Sequence, residues 1–409
     1  MDVVSKFLRY IAIDTQSSET SGLHPSTEKQ KDLGRMLVKE LEDMGAADVF
    51  YDEEHNYIYA AVPATDGGEK HEVLGFISHM DTSPETSGAN VQPRFVENYD
   101  GGDIPLGNGL TLSPSVFPEL KDYVGQTLIT TSGETLLGAD DKAGVAEIMT
   151  MAQVLLEDAK QKEPQYRHGR IALAFTSDEE IGEGTAFFDQ QQFGADVAYT
   201  VDGGALGELE YENFNAAAAA VTVNGVTVHP GEAKGKMKNA AAIAAEFHGM
   251  LPAEQVPEKT EGREGFFYLC DMQGETESAA LHYIIRDHDR ALFEEKKRVM
   301  LDIADELNRK YGNGTVEVSL KDQYYNMREK IEPDYLYLVD RAAEAMQELG
   351  VTPRIQPIRG GTDGAMLSFK GLPCPNLCAG GHNFHGRFEY VPVESMERIV
   401  SLLLKIACK

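Results

Sequence analysis

Cysteine is scarce in this chain of 409 residues. None of the four cysteines forms the CxxC pair that is typical of thiolate zinc sites. A disulfide framework is not predicted either, because such frameworks are typical of small secreted domains that are dense in cysteine. Any metal site in this protein should therefore use histidine and carboxylate side chains. The cysteines are Cys270, Cys374, Cys378 and Cys408.

Basic residues are also few. Lysine and arginine together number 37, against 67 aspartates and glutamates, so the formal net charge is −30. A surface of this charge repels nucleic acids and anionic membranes. We interpret the acidic excess as a feature that keeps the protein soluble, and we expect neither nucleic acid nor membrane as a partner.

Long hydrophobic runs are absent as well, since no apolar run reaches the length of a membrane helix. The first residues lack the basic start and the apolar stretch of a signal peptide. They instead carry apolar residues at helical spacing, which predicts an amphipathic helix. Because neither a signal peptide nor a membrane helix is predicted, we expect a cytoplasmic protein. The residues of this pattern are Val3, Val4, Phe7, Leu8 and Ile11.

The chain is too long for one ordinary core, so two domains are expected. Short apolar runs alternate with helical patterns, including a helix after Thr27 that forms a capping-box pattern with Gln30 and ends near Gly45. This alternation predicts an α/β fold with a largely parallel central sheet flanked by helices. The predicted strands are VLGFIS (73–78), IALAFT (171–176), VAYTVD (197–202) and PNLCAG (375–380).

The middle of the chain has a different order of patterns. From residue 208 onwards the apolar periodicities predict strand, helix, strand, strand, helix and strand. This β-α-β-β-α-β order is typical of a ferredoxin-like α+β domain. We therefore expect a first domain in two parts, 1–207 and 326–409, with a second domain inserted at 208–325.

Histidine and acidic residues gather directly after apolar runs, among them the run ETLLG at 134–138. In open α/β sheets, ligands bind outside the carboxyl ends of the strands. The clusters are therefore expected to converge on one site. They are His79-Met80-Asp81, Ala139-Asp140-Asp141-Lys142, Ser177-Asp178-Glu179-Glu180, Asp202-Gly203-Gly204 and His382-Asn383-Phe384-His385-Gly386.

Imidazole nitrogen and carboxylate oxygen are ligands that zinc accepts, and one aspartate can bridge two ions. The set therefore predicts a pair of divalent metal ions. Each cluster has an ordinary alternative by itself: a surface HxD, an N-cap at Asp140-Asp141, a solvated acidic run or a loop histidine. Their common position after buried runs favours the metal site. The patterns GxxxxGK[ST], GxSxG and HExxH do not occur.

Over nearly its whole length the chain resembles the peptidase T family of bacterial tripeptide aminopeptidases. That family belongs to a larger one of two-zinc peptidases and deacylases, which includes carboxypeptidase G and acetylornithine deacetylase. The short elements HxD, ADDK and DEE specify only the larger family. The longer stretches that carry the resemblance include GFISHMDTSP, TLLGADDKAG, DEEIGEG, YTVDGG, GELEYENFNAA, VHPGEAKG, HYIIRDHDR, YYNMREK and PIRGGTDGA.

The resemblance implies two zinc ions per chain and assigns their ligands. His79 and Asp202 would hold one ion, and Glu180 and His385 would hold the other. Asp140 would bridge the two ions, and the peptide bond that follows it would be cis, as in relatives of the larger family.

The resemblance also implies the catalytic roles. Glu179 would be the general base, Asp81 would orient His79, and His229 would reach the reacting carbonyl oxygen. Three residues are candidates for binding the terminal carboxylate of the peptide, with structural ion pairs or caps as the alternative. They are Arg286, Asn326 and Arg359.

The activity that the resemblance implies is release of the N-terminal residue from tripeptides. The expected partners are small peptide substrates, and a homodimer is left open. One alternative is the same metal site in another acyl cleavage, such as that of a carboxypeptidase or an N-acyl amino acid deacylase. A non-catalytic binding protein is the second alternative, but it would be expected to lack Glu179 or a ligand.

Overall fold

The structure is a computed structural model that describes residues 2–65, 67–332 and 334–408. The chain divides into two compact units. The first contains the residues up to Tyr211, Glu329–Gln356 and the residues from Thr362 onwards, and the second contains Glu212–Arg328 and Pro357–Gly361.

The helices of the described residues are α1 (Val3–Ile11), α2 (Gln30–Met44), α3 (Ala139–Asp158), α4 (Gln190–Phe193), α5 (Ala240–Met250), α6 (Arg290–Tyr311), α7 (Arg328–Ile331), α8 (Leu336–Glu348), α9 (Asp363–Phe369) and α10 (Val393–Ala407). None of them combines the length and the apolar character that crossing a membrane requires.

The strands of the described residues are β1 (Ala47–Asp52), β2 (Tyr57–Val62), β3 (Leu74–His79), β4 (Arg94–Val96), β5 (Ile104–Pro105), β6 (Thr111–Leu112), β7 (Leu128–Thr130), β8 (Ile171–Thr176), β9 (Val197–Gly203), β10 (Glu208–Glu210), β11 (Asn215–Asn224), β12 (Phe266–Gly274), β13 (Ser278–Asp287), β14 (Val316–Tyr324), β15 (Arg354–Ile355), β16 (Asn376–Cys378) and β17 (Tyr390–Pro392).

The main sheet of the first unit has the strand order β1-β2-β8-β3-β9-β16-β10-β15. Its central strands β8, β3, β9 and β16 pair in parallel with their neighbours in that row. The strands β1, β2 and β10 introduce the antiparallel pairs. The largely parallel sheet predicted from the sequence is confirmed, and the carboxyl ends of its four central strands lie along one edge.

Both faces of this sheet are covered, which explains why its strands are continuous apolar runs rather than alternating ones. Successive residues of a strand point to opposite faces. Phe76 accordingly packs in the cluster that includes Phe7 of α1 and Met149 of α3. Its neighbour Ile77 packs in the cluster on the other face, which includes Phe193 of α4.

The predicted N-terminal helix is confirmed as α1, but the predicted start of α2 is wrong. The helix begins at Gln30 rather than after Thr27, and neither residue makes a capping box. The Thr27 hydroxyl donates instead to the carbonyl oxygen of Gln16 over 2.8 Å. The Gln30 amide donates to a carboxylate oxygen of Asp178 over 2.7 Å. Tertiary contacts have taken both side chains that a capping box would need.

The second unit contains β11, α5, β12, β13, α6 and β14 in that order. Its antiparallel sheet has the order β12-β13-β11-β14, with Phe247 of α5 and Leu307 of α6 packed on Val221 and Leu281. The predicted ferredoxin-like pattern is confirmed. The short strand β10, by contrast, belongs to the sheet of the first unit.

The end of α2 offers a test of the local backbone. Gly45 has φ 84°, and a Cβ added there would meet no atom within 4 Å, so only conformational strain opposes a side chain. We expect Gly45→Ala to lower the free energy of unfolding of the first unit by about 1 kcal/mol. Gly45→Asn should cost less, because asparagine tolerates the left-handed conformation. Denaturant unfolding measures both; equal losses in the two variants would contradict the explanation.

Candidate metal centre

Four of the five predicted clusters follow central strands of the main sheet. His79 ends β3, the Asp178–Glu180 segment follows β8, Asp202 lies near the end of β9, and His385 lies in the loop after β16. The prediction that the fifth cluster follows a strand is wrong, since residues 134–138 form no strand. Asp140 lies instead in the first turn of α3.

The structure brings the five proposed metal ligands together. His79 Nε2 lies 2.9 Å from Asp140 Oδ1 and 3.3 Å from Asp202 Oδ1. His385 Nε2 lies 2.9 Å from Glu180 Oε2 and 3.3 Å from Asp140 Oδ2. The two oxygens of Asp140 thus face different histidines. This arrangement suits a carboxylate that bridges two ions.

Asp81 connects the first histidine to the turn that carries the two glutamates. Its fully buried carboxylate accepts the backbone N–H of Glu179 over 3.1 Å and that of Glu180 over 3.2 Å. His79 Nδ1 lies 3.0 Å from the carbonyl oxygen of Asp81 and 3.4 Å from its carboxylate oxygen Oδ1. With Nδ1 engaged in this way, Nε2 is directed towards Asp140 and Asp202.

Asp140 owes its position to a residue that the sequence did not reveal. The buried carboxylate of Glu389 accepts the backbone N–H groups of residues 137, 138, 139 and 140, over 2.6, 2.9, 2.7 and 3.1 Å. The bond between Asp140 and Asp141 is cis, as the resemblance predicted. Glu389 directly precedes the short strand β17, but no spacing connects it to residues about 250 positions earlier.

Asp141 makes different contacts from its neighbour Asp140. Its Oδ2 accepts the backbone N–H of His79 over 3.2 Å, and its Oδ1 is buried with no hydrogen-bond partner among the described residues. Ligand atoms of His79, Asp141 and Asp202 also lie within 4.8 Å of one another, as do those of His79, Asp140 and Glu180. Both groups therefore provide nitrogen and oxygen donors at distances suited to metal binding.

The concentration of carboxylates changes their pKa values. Burial and the nearby Asp140 raise the pKa of Glu180 to about 8. Burial raises the pKa of Asp202 to about 6, and burial together with Asp202 raises the pKa of Glu179 well above its usual range. Hydrogen bonds to Asp140 and Glu180 raise the pKa of His385 to about 11. These shifts show that the site stabilises positive charge, which divalent cations would supply.

The donor set of the site fits zinc. It consists of imidazole nitrogen and carboxylate oxygen, the ligands of catalytic zinc sites. Glu180 Oε1 is buried and has no hydrogen-bond partner in the described residues, a costly state for an oxygen that a cation could satisfy. The residues present are therefore compatible with the two ions that the sequence predicts.

The other predicted site residues belong to the second unit. His229 is exposed, and its Nδ1 accepts the backbone N–H of Gly231 over 3.2 Å. Asn326 is buried: its side-chain oxygen accepts the N–H groups of Asn213 and Arg328, and its amide donates to the carbonyl oxygen of His288. These bonds engage the side chain of Asn326 with backbone groups of its own unit.

The two arginines among these residues contact aromatic rings. The Arg286 guanidinium lies 5.4 Å from the centre of the Tyr324 ring and donates to the carbonyl oxygen of Ile285. Arg359 is exposed and lies 5.1 Å from the centre of the Phe214 ring. It donates to carbonyl oxygens of the segment 262–264. Backbone and aromatic contacts therefore fix the direction of both guanidinium groups.

Residues 211–315 match the family described as the peptidase dimerisation domain. Over 404 residues the chain is 56% identical to peptidase T of Clostridium perfringens strain 13, an alignment that covers 99% of this chain and 98% of that protein. The fold is similar to that of aminopeptidase PepT from Bacillus cereus, with a TM-score of 0.77 and 23% identity over 99% of this chain and 97% of the other. It is also similar to a dinuclear metal-binding peptidase of the M20 family from Bacillus subtilis, with a TM-score of 0.66 and 12% identity over 99% and 96%.

The role of Glu389 can be tested by Glu389→Gln. The amide keeps one oxygen but turns a donor towards backbone N–H groups, so we expect lower thermal stability and a loss of zinc affinity of about 10-fold or more. Competition with a chelator measures the affinity. The control is Glu394→Gln, since both oxygens of Glu394 accept the backbone N–H of Thr127, outside the segment 137–140, over 3.1 and 3.0 Å. Equal zinc affinity in both variants would refute the assignment.

Proposed function

Since the chain belongs to the peptidase T family, we propose that it releases the N-terminal residue of tripeptides with the help of two zinc ions. The protein is a metallo-aminopeptidase. The observation that supports two ions best is the position of Asp140, whose two carboxylate oxygens face two different histidines. A carboxylate with one oxygen towards each histidine suits a site for two ions.

In this proposal His79 and Asp202 would hold one ion, Glu180 and His385 would hold the other, and Asp140 would contribute to both sites. The short distances between these side chains support the assignment. A pair of divalent ions in such a site supplies Lewis acidity to a water molecule and to the scissile carbonyl group.

The protein itself supplies the proton transfers. Glu179 lies next to the proposed ligand Glu180 in a short 3-10 turn at Glu179–Ile181. As general base it takes a proton from the attacking water and passes it to the leaving amine. Asp81 holds the backbone of both glutamates and orients His79, so that ligand and base keep a fixed relative position.

We assign the remaining roles to residues of the second unit. His229 stabilises the charge that develops on the carbonyl oxygen, a contribution of about 3 kcal/mol for one donor in a comparable site. Arg286 and Arg359 suit the terminal carboxylate of the peptide, because guanidinium binds carboxylate through two hydrogen bonds. Asn326 is the third candidate. The match of residues 211–315 to a dimerisation domain supports a homodimer, and we expect the enzyme to act in the cytoplasm.

Substrate length provides the test of the function. Groups that bind both charged ends of a tripeptide are left unpaired by a shorter peptide, at a cost of about 1–3 kcal/mol each. We expect the highest kcat/KM for tri-alanine, lower values for di- and tetra-alanine, and almost no cleavage of N-acetylated tri-alanine. Equal rates for all lengths would indicate a peptidase without a preference for tripeptides. Good cleavage of the acetylated peptide would favour the deacylase.

The two neighbouring glutamates should respond differently to the same substitution. Glu179→Gln removes the base but no ligand, so zinc content should stay at two ions per chain while kcat falls by about 100-fold or more. Glu180→Gln should lower the zinc content, because the variant loses a charged ligand. Metal analysis and tri-alanine hydrolysis measure both quantities. A Glu179→Gln enzyme with most of its activity would show that another group is the base.

A further inference from the structure

The turn that carries Glu179 and Glu180 begins at Asp178, a residue to which the proposed mechanism gives no role. Asp178 is fully buried and has φ 64°, in the left-handed region. For a residue other than glycine this conformation costs about 1 kcal/mol. It persists only where the surrounding structure holds it in place.

The N-terminal segment provides the groups that hold Asp178. Its Oδ2 accepts the backbone N–H of Ser26 over 2.6 Å and lies 3.2 Å from His24 Nδ1. Its Oδ1 accepts the Ser26 hydroxyl over 2.5 Å and the Gln30 amide over 2.7 Å. Ser26 and Gln30 are themselves buried. Both oxygens of the carboxylate are thus occupied by groups from a segment about 150 residues earlier in the chain.

The left-handed residue determines the course of the turn. Directly after it, the backbone N–H groups of Glu179 and Glu180 point to the two oxygens of Asp81. The turn closes where the N–H of Glu183 donates to the carbonyl oxygen of Asp178 over 2.9 Å. Two buried carboxylates therefore hold the backbone of this turn: Asp81 binds its N–H groups, and Asp178 anchors its first residue.

We infer that Asp178 is a positioning residue for Glu179, and that Ser26 and Gln30 act on the catalytic base through it. The inference rests on the proposed function, in which Glu179 is the base. Asp178 does not touch the reacting atoms; it fixes the place from which Glu179 reaches them. A shift of a catalytic group by about 1 Å can lower the rate by about 100-fold.

Asp178→Asn is the direct test. Asparagine has the same shape and tolerates the left-handed conformation, but its amide nitrogen cannot accept the bonds that one oxygen accepts. We expect kcat for tri-alanine to fall about 10-fold or more, with KM within about threefold of the wild-type value and zinc content unchanged. The control is Asp189→Asn. Asp189 is an exposed N-cap whose side chain accepts two backbone N–H groups, over 2.9 and 3.0 Å, and the variant should keep the wild-type kcat.

Ser26→Ala and Gln30→Leu each remove a donor to the Asp178 carboxylate while leaving Asp178 in place. They test the inference if Asp178→Asn does not fold. Each should lower kcat less than Asp178→Asn, and combining either with Asp178→Asn should add little, because all act through one group. Wild-type kcat in these variants would overturn the inference. So would a loss of zinc that parallels the loss of activity, since it would indicate support of a ligand rather than of the base.

A crystal structure of zinc-loaded Asp178→Asn gives a readout that does not depend on turnover. We expect the Glu179 carboxylate to be displaced while the metal ligands keep their positions. An unmoved Glu179 would overturn the inference. If the wild-type protein fails to cleave tripeptides, the proposed function is wrong, and the position of Glu179 in this crystal structure still decides whether Asp178 positions it.

Discussion

The hydrogen bonds from four successive backbone N–H groups to Glu389 are the interaction on which the metal centre depends. They fix the start of α3, and with it the carboxylate of Asp140 between His79 and His385. An intramolecular hydrogen bond contributes about 1 kcal/mol, and more where the acceptor is charged. A loop bound in this way keeps its shape although its side chains bring negative charges close together.

Other buried carboxylates around the centre also accept hydrogen bonds from backbone N–H groups. Asp81 accepts hydrogen bonds from two backbone N–H groups of the glutamate turn. Asp178 accepts hydrogen bonds from the backbone N–H and the hydroxyl of Ser26. In both cases a carboxylate outside the proposed ligand set connects the glutamate turn to another segment. Asp81 binds the turn from outside, and Asp178 is the first residue of the turn and is bound by the segment of Ser26. The proposed ligands can therefore leave part of their own hydrogen-bonding capacity unused, as Glu180 Oε1 does among the described residues.

This arrangement has a cost in the absence of cations. The raised pKa values of Glu180 and Asp202 show that burial disfavours their charged forms. Ions that bind the folded protein and not the unfolded chain should therefore stabilise it strongly. Glu389 and Asp81 hold the backbone of the site in place despite the repulsion between its carboxylates, which bound cations would reduce.

The sequence predicted those parts of the structure that have a local signal. Continuous apolar runs predicted the strands β3, β8, β9 and β16. The apolar periodicities after residue 208 predicted the order of helices and strands in the second unit. The position of ligands after strands followed from a general rule of open sheets. Partners that are distant in the chain could not be predicted. The run at 134–138 is apolar but lies in a loop that Glu389 holds, and Gln30 binds Asp178 instead of capping its own helix.

The distance between Glu389 and its partners also governs when the centre can exist during synthesis. Ala139 and Glu389 are separated by 250 residues, so the bonds that place Asp140 cannot form until Glu389 has left the ribosome. Before that point the other proposed ligands, apart from His385, have already been made, but the carboxylate between the two histidines is not fixed. Until Glu389 has been made, a nascent chain therefore lacks the hydrogen bonds that place Asp140.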